Sequence, residues 1–367
     1  MSALSKENET VGRGSHTLRE IRTQPESMEG VLQRVEREKR SLRELIRDVE
    51  EVVVVGCGSA FNVAHGIAPI LQKATGRSVR PVHSSDLFLN PSMFLSPSRK
   101  TLCVVISRSG KTTESVLAMR AARKSGCRVL TVACFADSPM AREADVTLVL
   151  EEAVEQSVTT TRSFTSMILC GLRMAAEWSD NKALMRQSLS LPALARERMG
   201  KFEEMGRALA EEEAVKRYAF VGSGSYFGIA REAQLKIKEM VLLPSDSYVS
   251  LDFQHGPMSN VDAHMLVCIL VSDNGKHFDA TLARNMKTLE GTTLVLCDRD
   301  EGLFRESADF LVELDVNLRD GVRDVLYMPT LQFMSYYRSL ATGNDPDRPK
   351  NLSYFVELSP DVQQGRR

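Results

Sequence analysis

A loop rich in hydroxyl groups follows an apolar run in the first third of the chain. The stretch VVISRSGKTTES, residues 104–115, carries Ser107, Ser109, Gly110 and Thr112. A glycine lets the backbone approach a ligand, and a following helix points unpaired N–H groups and partial positive charge at the same place. One hydroxyl would be typical of a helix cap. Five hydroxyls in nine residues favour a site for a phosphate ester.

A second polar loop, EQSVTTTRSFT at residues 155–165, follows the apolar run DVTLVLEE and precedes a long apolar helix. Its hydroxyl residues are more numerous than a helix cap requires. We therefore expect this loop to face the same cavity as residues 107–112. Ligands of parallel α/β sheets bind at the carboxyl ends of the strands, where such loops lie.

Two segments match nucleotide-binding motifs only in part. SGKTT resembles the end of a P-loop, yet that motif requires a glycine at position 105, where this chain has Val105. GCGSAFNVA hints at a dinucleotide site, but it lacks the third glycine, and SVRPVHSSD offers no convincing carboxylate for a ribose. The sequence predicts no nucleotide cofactor.

An internal repeat organises the elements that must position these loops. The segment VVVVGCGSAFNVAHGIAPIL recurs as YAFVGSGSYFGIAREAQLKIKEM, with Gly56 aligned on Gly222 and Gly58 on Gly224. Apolar runs without alternation, separated by amphipathic helices, predict parallel sheets buried on both faces. The expected fold is α/β, with two tandem domains that are each a doubly wound, mostly parallel sheet flanked by helices. The expected segments are a disordered arm (1–15), a helical segment (16–50), two domains (51–190 and 205–345) and a tail (346–367).

Composition restricts the class of partner and the compartment. The 47 Lys and Arg residues nearly balance the 48 Asp and Glu residues, which argues against nucleic acid or a membrane surface as the partner. The seven cysteines contain no CxxC pair and are typical of buried thiols in a reducing compartment. Neither a secretory signal nor an apolar run of membrane-spanning length is present, so we expect a cytoplasmic protein.

Three segments together resemble a known family. SRSGKTTES, EQSVTTTRSFT and the pair QLKIKEM and FQHGPM are similar to the tandem sugar isomerase (SIS) domains of the glucosamine-6-phosphate synthase group. That group includes the isomerase half of glutamine–fructose-6-phosphate aminotransferase and stand-alone sugar-phosphate deaminases and deglycases. The flanks LREIRTQP and DRPKNLSYFVEL also resemble it, so the likeness covers nearly the whole chain after residue 16.

The resemblance implies a phosphosugar site in the first domain. The residues expected to contact the phosphosugar are Gly58, Ser59, Ser107, Arg108, Ser109, Thr112, Val158 and Thr160. It further implies that Lys236 contacts the sugar chain, that Glu239 carries a proton between C1 and C2, and that His255 opens the ring from a second subunit of a homodimer.

These implied catalytic roles agree with the chemistry of aldose–ketose exchange. A carboxylate can remove and return the proton next to a carbonyl or imine, and ring opening suits a histidine that titrates near neutrality. Taken alone, Glu239 is also compatible with a solvated helix face, and His255 with a loop histidine. We interpret His65, His83 and His264 as structural. No His, Cys or Asp cluster has metal-ligand spacing, so no metal is predicted.

The chain departs from the family pattern in three places. Residues 1–50 are too short for a glutaminase domain, so we expect no ammonia release from glutamine. Tyr354 stands where the synthase has a Schiff-base lysine, and Lys350 stands where the family has an arginine. Ala60 replaces a serine, and Asp252 replaces a longer acid near the HGP motif.

The sequence thus predicts an amino-sugar phosphate deaminase/isomerase without cofactor or metal. The expected reaction converts glucosamine 6-phosphate to fructose 6-phosphate and ammonia, and the glucose-type or galactose-type substrate stays open. A fructosamine-6-phosphate deglycase and a plain phosphosugar isomerase are alternatives within the same class. A non-catalytic phosphosugar-binding regulator is the alternative from a different class.

Overall fold

Two helices open the part of the chain that the computed structural model describes, residues 12–358. Helix α1 spans Ser15–Arg22 and α2 spans Gln24–Leu45, with Pro25 in the first turn of α2 where a missing N–H costs nothing. The first eleven residues of the expected arm lie outside the described residues. Near the end of the expected arm, the Gly14 N–H donates to Asp345 Oδ1 at 3.2 Å. The first described residues therefore contact the segment that follows α12.

The first domain contains a five-stranded parallel sheet in the order β2-β1-β3-β4-β5. In register, Val52 of β1 lies between Val79 of β2 and Leu102 of β3. The two central strands β1 and β3 are buried along their whole length, as their continuous apolar sequence predicts. The strands are β1 Glu51–Gly56, β2 Ser78–His83, β3 Thr101–Ile106, β4 Arg128–Ala133 and β5 Val146–Val149.

The second domain repeats this topology. Its parallel sheet has the order β10-β9-β8-β6-β7, so β7, β6, β8, β9 and β10 take the places of β2, β1, β3, β4 and β5. The prediction of two parallel α/β domains is confirmed. The sequence pattern gives no sign of β7, because its residues SDSY are polar and partly exposed. The strands are β6 Arg217–Gly222, β7 Ser245–Tyr248, β8 Met265–Leu270, β9 Thr292–Cys297 and β10 Phe310–Glu313.

Helices cover both faces of each sheet. In the first domain they are α3 Ser59–Thr75, α4 Ser84–Leu89, α5 Pro91–Phe94, α6 Thr113–Lys124, α7 Pro139–Glu143 and α8 Arg162–Trp178. The long helix α9, Lys182–Ala210, leads to the second domain. The remaining helices are α10 Tyr226–Lys236, α11 Lys276–Thr288 and α12 Asp324–Ala341. No helix within residues 12–358 is long and apolar enough to cross a membrane.

Close packing of α3 against α10 joins the two domains. A Cβ atom at Gly228 would lie 2.4 Å from the Gly66 nitrogen, so only glycine allows this approach. Asn62 on α3 donates to Glu232 on α10 at 2.9 Å, and both side chains are buried. One apolar core extends across both domains through α3, α8, α10 and α12. This contact fixes side chains of the second domain against the strand ends of the first.

Candidate active site

One cavity of about 380 Å³ lies at the carboxyl ends of β1 and β3. All eight residues predicted to bind a phosphosugar line it, and Glu239 of the second domain lines it as well. Lys236 and His255 do not. The other residues that line the cavity are Cys57, Ala60, Val63, His83, Glu114, Phe164, Met167 and the tail residues Leu352, Ser353, Tyr354, Phe355 and Val356.

The hydroxyl loop after β3 forms a tight turn whose side chains converge. The Gly110 N–H donates to Ser107 Oγ at 3.2 Å, and the Lys111 N–H donates to Ser109 Oγ at 3.1 Å. Thr112 Oγ1 lies 3.4 Å from both serine Oγ atoms. Gly110 has φ +62°, and a Cβ there would lie 2.2 Å from Ser138 Oγ, so the turn requires glycine. Three hydroxyl groups thereby face one point at the start of α6.

Arg108 lies in the same turn, but its guanidinium is already engaged. It donates to Glu155 Oε2 at 2.9 Å, to the Val158 carbonyl at 2.7 Å and to the Tyr354 carbonyl at 3.0 Å. Burial alone would raise the pKa of Glu155, but Arg108 and nearby hydrogen bonds hold that pKa below its ordinary value. Arg108 therefore ties the turn, the 155–165 loop and the tail together at the cavity wall.

The 155–165 loop reaches the cavity through Val158, Thr160 and Phe164, so none of its hydroxyl groups except that of Thr160 belongs to a lining residue. Its other hydroxyl groups hold the loop in shape: those of Thr161 and Ser163 donate to Glu155, and that of Thr159 donates to the Pro346 carbonyl. The abundance of hydroxyls thus has a structural cause as well as a role at the cavity.

A buried acid from α1 supports the same loop from behind. Glu20 accepts hydrogen bonds from the Gln156 N–H and from the Ser157 hydroxyl. Burial, followed by the nearby charge of Glu155, raises the pKa of Glu20 to about 7. The loop that carries Val158 and Thr160 is therefore held between two acids, Glu20 and Glu155.

Glu239 enters the cavity from a π-helical turn, Ile237–Val241, that continues α10. Such turns are rare in proteins overall, but they occur frequently at functional sites. The Glu239 side chain is 20% exposed, and its Oε2 lies 2.5 Å from Lys236 Nζ. The Glu239 carboxylate therefore faces the cavity on one side and contacts the Lys236 ammonium group on the other.

Lys236 lies behind Glu239, fully buried between two carboxylates. Its Nζ is 3.2 Å from Glu232 Oε1, which also accepts from the Ser59 hydroxyl at 3.0 Å. Burial alone would lower the pKa of Lys236, but Glu232 and Glu239 outweigh it and hold the pKa above its ordinary value. Lys236 therefore contacts the Glu239 carboxylate rather than the cavity in this structure.

The two histidines of interest occupy different places. His255 is exposed on the loop between β7 and β8, away from the cavity of its own chain. His83, which we interpreted as structural, lines the cavity, and its Nδ1 lies 2.7 Å from Ser85 Oγ at the start of α4. Sequence reasoning missed it because only the fold brings the end of β2 beside β1.

The tail covers the cavity. Val356 accepts a hydrogen bond from the Thr113 N–H at 3.3 Å, and the Tyr354 hydroxyl donates to the Glu155 carbonyl at 3.1 Å. The Tyr354 ring lies over the Arg108 guanidinium, 3.9 Å from its Cζ to the ring centre. Among the described residues, no lysine lines this cavity. Tyr354, at the position where the resemblance implies a Schiff-base lysine in the synthase, therefore lines the cavity.

The chain is thus a two-domain α/β protein with duplicated parallel sheets, and a carboxylate of the second domain reaches a cavity of the first. The SIS domain family model matches residues 45–175 and 213–337, one match in each domain. The chain belongs to the SIS domain family.

Named relatives agree with this assignment. Glutamine–fructose-6-phosphate aminotransferase (isomerizing) of Haemophilus influenzae is 28% identical over 327 residues, which is 86% of this chain and 53% of that protein. The homologous enzyme of Pyrobaculum aerophilum is 27% identical over 368 residues, which is 96% of this chain and 59% of that protein. The chain spans little more than half the length of these curated relatives.

Solved structures show the same fold. Glucosamine-6-phosphate deaminase from Thermotoga maritima matches with a TM-score of 0.76 at 22% identity, over 94% of this chain and 100% of that one. Tagatose-6-phosphate ketose/aldose isomerase from Escherichia coli matches with a TM-score of 0.85 at 22% identity, over 96% and 99%. The chain therefore shares the fold of these two sugar-phosphate enzymes.

Proposed function

We propose that the protein is an amino-sugar phosphate deaminase/isomerase that converts glucosamine 6-phosphate to fructose 6-phosphate and ammonia. The observation that carries the proposal is that the hydroxyl turn, residues 107–112, and the Glu239 carboxylate line one cavity. The first suits a phosphate group and the second suits proton transfer next to a carbonyl. No part of the proposed mechanism requires a cofactor.

The phosphate is bound by Ser107, Ser109 and Thr112, whose hydroxyl groups already converge. Small hydroxyls donate hydrogen bonds to phosphate oxygens without filling the cavity. Glu114, in the first turn of α6, has a buried Oε2 without a protein partner among the described residues and accepts from a sugar hydroxyl. Gly58, Ser59, Val158 and Thr160 enclose the sugar chain.

The chemistry runs through the open-chain amino sugar. Glu239 removes the C2 proton, the electrons move to give a 1,2-enolamine, and Glu239 returns the proton to C1. The product is a ketimine at C2. Water adds at C2 and ammonia leaves, so that glucosamine 6-phosphate and water give fructose 6-phosphate and ammonia. Lys236 orients the Glu239 carboxylate through their 2.5 Å ion pair.

The absence of a cavity lysine in the described chain favours a substrate that carries its own amine. Imine formation with a ketose requires an amine from the enzyme, and Tyr354 offers none. An amino sugar needs no such group, because its own nitrogen becomes the imine. The cavity lining therefore favours deaminase activity over the isomerase half-reaction of the synthase.

We also propose that His255 acts in the cavity of a second copy, as the ring-opening acid–base group of a homodimer. The loop that carries it also carries the apolar side chains Val249 and Leu251, which are 42% and 44% exposed in the single chain. Such a group of apolar residues is typical of a surface covered by another subunit. We propose a cytoplasmic setting for this enzyme.

Ammonia release from glucosamine 6-phosphate, with galactosamine 6-phosphate alongside, tests the reaction. We expect release by the wild-type protein and a loss of about 10²–10⁴-fold in kcat for Glu239→Gln, with phosphosugar binding retained. Asp246→Asn, on the exposed part of β7, is a carboxylate control that should keep full activity. Undiminished turnover in Glu239→Gln would remove this carboxylate from the mechanism. Ketose formation without ammonia would indicate a plain isomerase, and amine release from a glycated amino acid would indicate a deglycase.

Mixing two inactive variants tests the shared site. A mixed dimer of Glu239→Gln and His255→Gln chains contains one site with both groups intact only if His255 acts across the interface. We expect an equimolar, re-equilibrated mixture to recover about a quarter of wild-type activity, because half of its dimers are mixed and each has one complete site. No recovery would place His255 in the cavity of its own chain, and full activity of His255→Gln by itself would place this residue outside the mechanism.

A further inference from the structure

A second cavity, of about 450 Å³, lies at the carboxyl ends of β6 and β8 in the second domain. It occupies the place in that domain that the candidate active site occupies in the first. The GSGS loop, residues 222–225, replaces the GCGS loop, residues 56–59. The loop before α12, residues 319–322, replaces the loop before α8. The repeat has therefore produced two cavities, of which the proposed reaction uses one.

The turn after β8 keeps the hydrogen bonds of the turn after β3. The Gly275 N–H donates to Ser272 Oγ and to the Ser272 carbonyl, both at 3.1 Å. The Gly110 N–H makes the same two bonds to Ser107, both at 3.2 Å. Ser272 and Asn274 line the second cavity, together with Ser223 and Ser225 of the GSGS loop. Small polar side chains thus surround the second cavity in the arrangement found in the first.

The residue that faces the second cavity from the other domain is a lysine. Glu239 lies 166 residues after Lys73, the separation that also relates Gly224 to Gly58 (239 − 73 = 224 − 58). Lys73, near the end of α3, lines the second cavity as Glu239 lines the first. At the position of the proposed base, the second cavity therefore has a cation.

Two cations at this cavity have no carboxylate partner. Lys73 and Arg319 are both exposed, and neither makes an ion pair among the described residues. The one acid in the described lining, Asp320, is neutralised by Arg323 at 2.7 Å and accepts from the Tyr226 hydroxyl at 3.0 Å. The remaining walls are largely apolar, with Pro69, Ile70 and Leu184. The cavity is net positive, with hydroxyl and amide donors at its base.

We propose that this second cavity binds a small sugar phosphate without turning it over and so serves as a regulatory site. Lys73 and Arg319 bind the phosphate, the serine and asparagine side chains bind sugar hydroxyls, and the apolar wall covers the carbon chain. Proton transfer is absent because a lysine stands where the first cavity has Glu239. α3 carries Lys73 at its end and Ser59 of the first cavity at its start, so occupancy of one cavity reaches the other through a single helix.

Calorimetric titration of the full chain with fructose 6-phosphate tests the proposal. We expect two molecules per chain for the wild type and one for the double variant Lys73→Met/Arg319→Gln, with the second site weakened about tenfold or more. The two side chains are exposed and unpaired, so this variant should fold. Arg37→Gln/Lys201→Met removes two other exposed cations that make no ion pair among the described residues, and it should keep two molecules per chain.

The outcomes separate this proposal from the proposed function. One molecule per chain that survives Lys73→Met/Arg319→Gln overturns the second site. The Ser109→Asp variant blocks the first cavity with a carboxylate. If only one molecule binds per chain, and its binding is lost in Lys73→Met/Arg319→Gln but kept in Ser109→Asp, the second site is supported. That result would overturn sugar-phosphate binding at the first site. Binding at neither site overturns both.

Discussion

The two domains use the same ion-pair contact with the charges exchanged. In the first, Arg108 of the turn after β3 pairs at 2.9 Å with Glu155, which lies ahead of α8. In the second, Asp273 of the turn after β8 pairs at 2.7 Å with Arg323, which lies directly before α12. Each pair ties a strand-end turn to the start of the helix that follows the last strand of its sheet. The link has the same place in both domains, with the cation on the turn in the first and on the helix side in the second.

The environment of the two pairs differs more than their geometry. The Glu155 side chain is fully buried and that of Arg108 is 10% exposed, whereas Asp273 is 51% exposed. The first pair is therefore almost fully shielded from solvent, whereas the second is exposed on its carboxylate side. The cover is the tail, whose Tyr354 lies against Arg108. A single duplicated scaffold thus gives one cavity lined by the Glu239 carboxylate and one lined by Lys73.

Breaking each ion pair should give the largest contrast. Arg108→Met leaves Glu155 as a buried, unpaired charge and should lower the free energy of unfolding by about 3–5 kcal/mol. Asp273→Asn leaves Arg323 paired with Asp320 and should cost about 1 kcal/mol or less. Urea unfolding of the two variants measures the difference. Equal losses would mean that burial does not distinguish the two links.

The loop before α8 and the loop before α12 each contact a buried acid with a raised pKa. Glu20 supports the first loop with a pKa of about 7, and Asp324, which accepts from the Gly321 N–H at 2.8 Å, supports the second with a pKa of about 6. Burial is the main cause in both. Each folded acid keeps its proton to a higher pH than the unfolded chain does, so stability falls as pH rises through each window.

Amide variants should remove these two slopes separately. Glu20→Gln should flatten the fall in the free energy of unfolding between pH 4.5 and 7, and Asp324→Asn the fall between pH 3.8 and 6, each on the order of 3 kcal/mol. Urea unfolding at intervals from about pH 4 to about pH 8, a range that covers most of both windows, measures the two slopes. A steeper pH dependence in either variant would contradict the assignment.

The smallest expected effect is shared by the two turns. Ser107→Ala and Ser272→Ala each remove one of two acceptors for a glycine N–H, and each should cost about 1 kcal/mol of unfolding free energy. Ser107→Ala should in addition raise KM for the phosphosugar, because that hydroxyl faces the first cavity. Urea unfolding and steady-state kinetics provide the two readouts. An unchanged KM would exclude Ser107 from phosphate binding.

The sequence predicts this fold well where local patterns suffice. Continuous apolar strands such as Val52–Val55 identify the buried sheets, and the repeat around Gly58 and Gly224 identifies the two domains. The strand-end rule then brings the hydroxyl turn and Gly58 to one cavity, as expected. Strand β7 is missed because it lies at a sheet edge and has little apolar sequence.

The parts that could not be predicted depend on contacts between distant segments. Nothing local indicates that Arg108 is engaged by Glu155, or that His83 lines the cavity. The burial of Lys236 behind Glu239 depends on the packing of α10 against α3. Such partners are chosen by tertiary packing, which a single sequence does not display.

The π-helical turn that carries Glu239 makes the position of this carboxylate a matter of chain length. A π turn holds one residue more than an α turn, so the added residue alters the direction of every side chain after it. Deletion of Lys238, an exposed residue of this turn, would rotate the following side chains by about 100° about the helix axis. A scan by substitution would pass over this dependence, whereas a scan by single-residue deletion would expose it. Helix α3, which carries Lys73 near its end, has no π turn, so the two halves differ here in the winding of the backbone as well as in side chains.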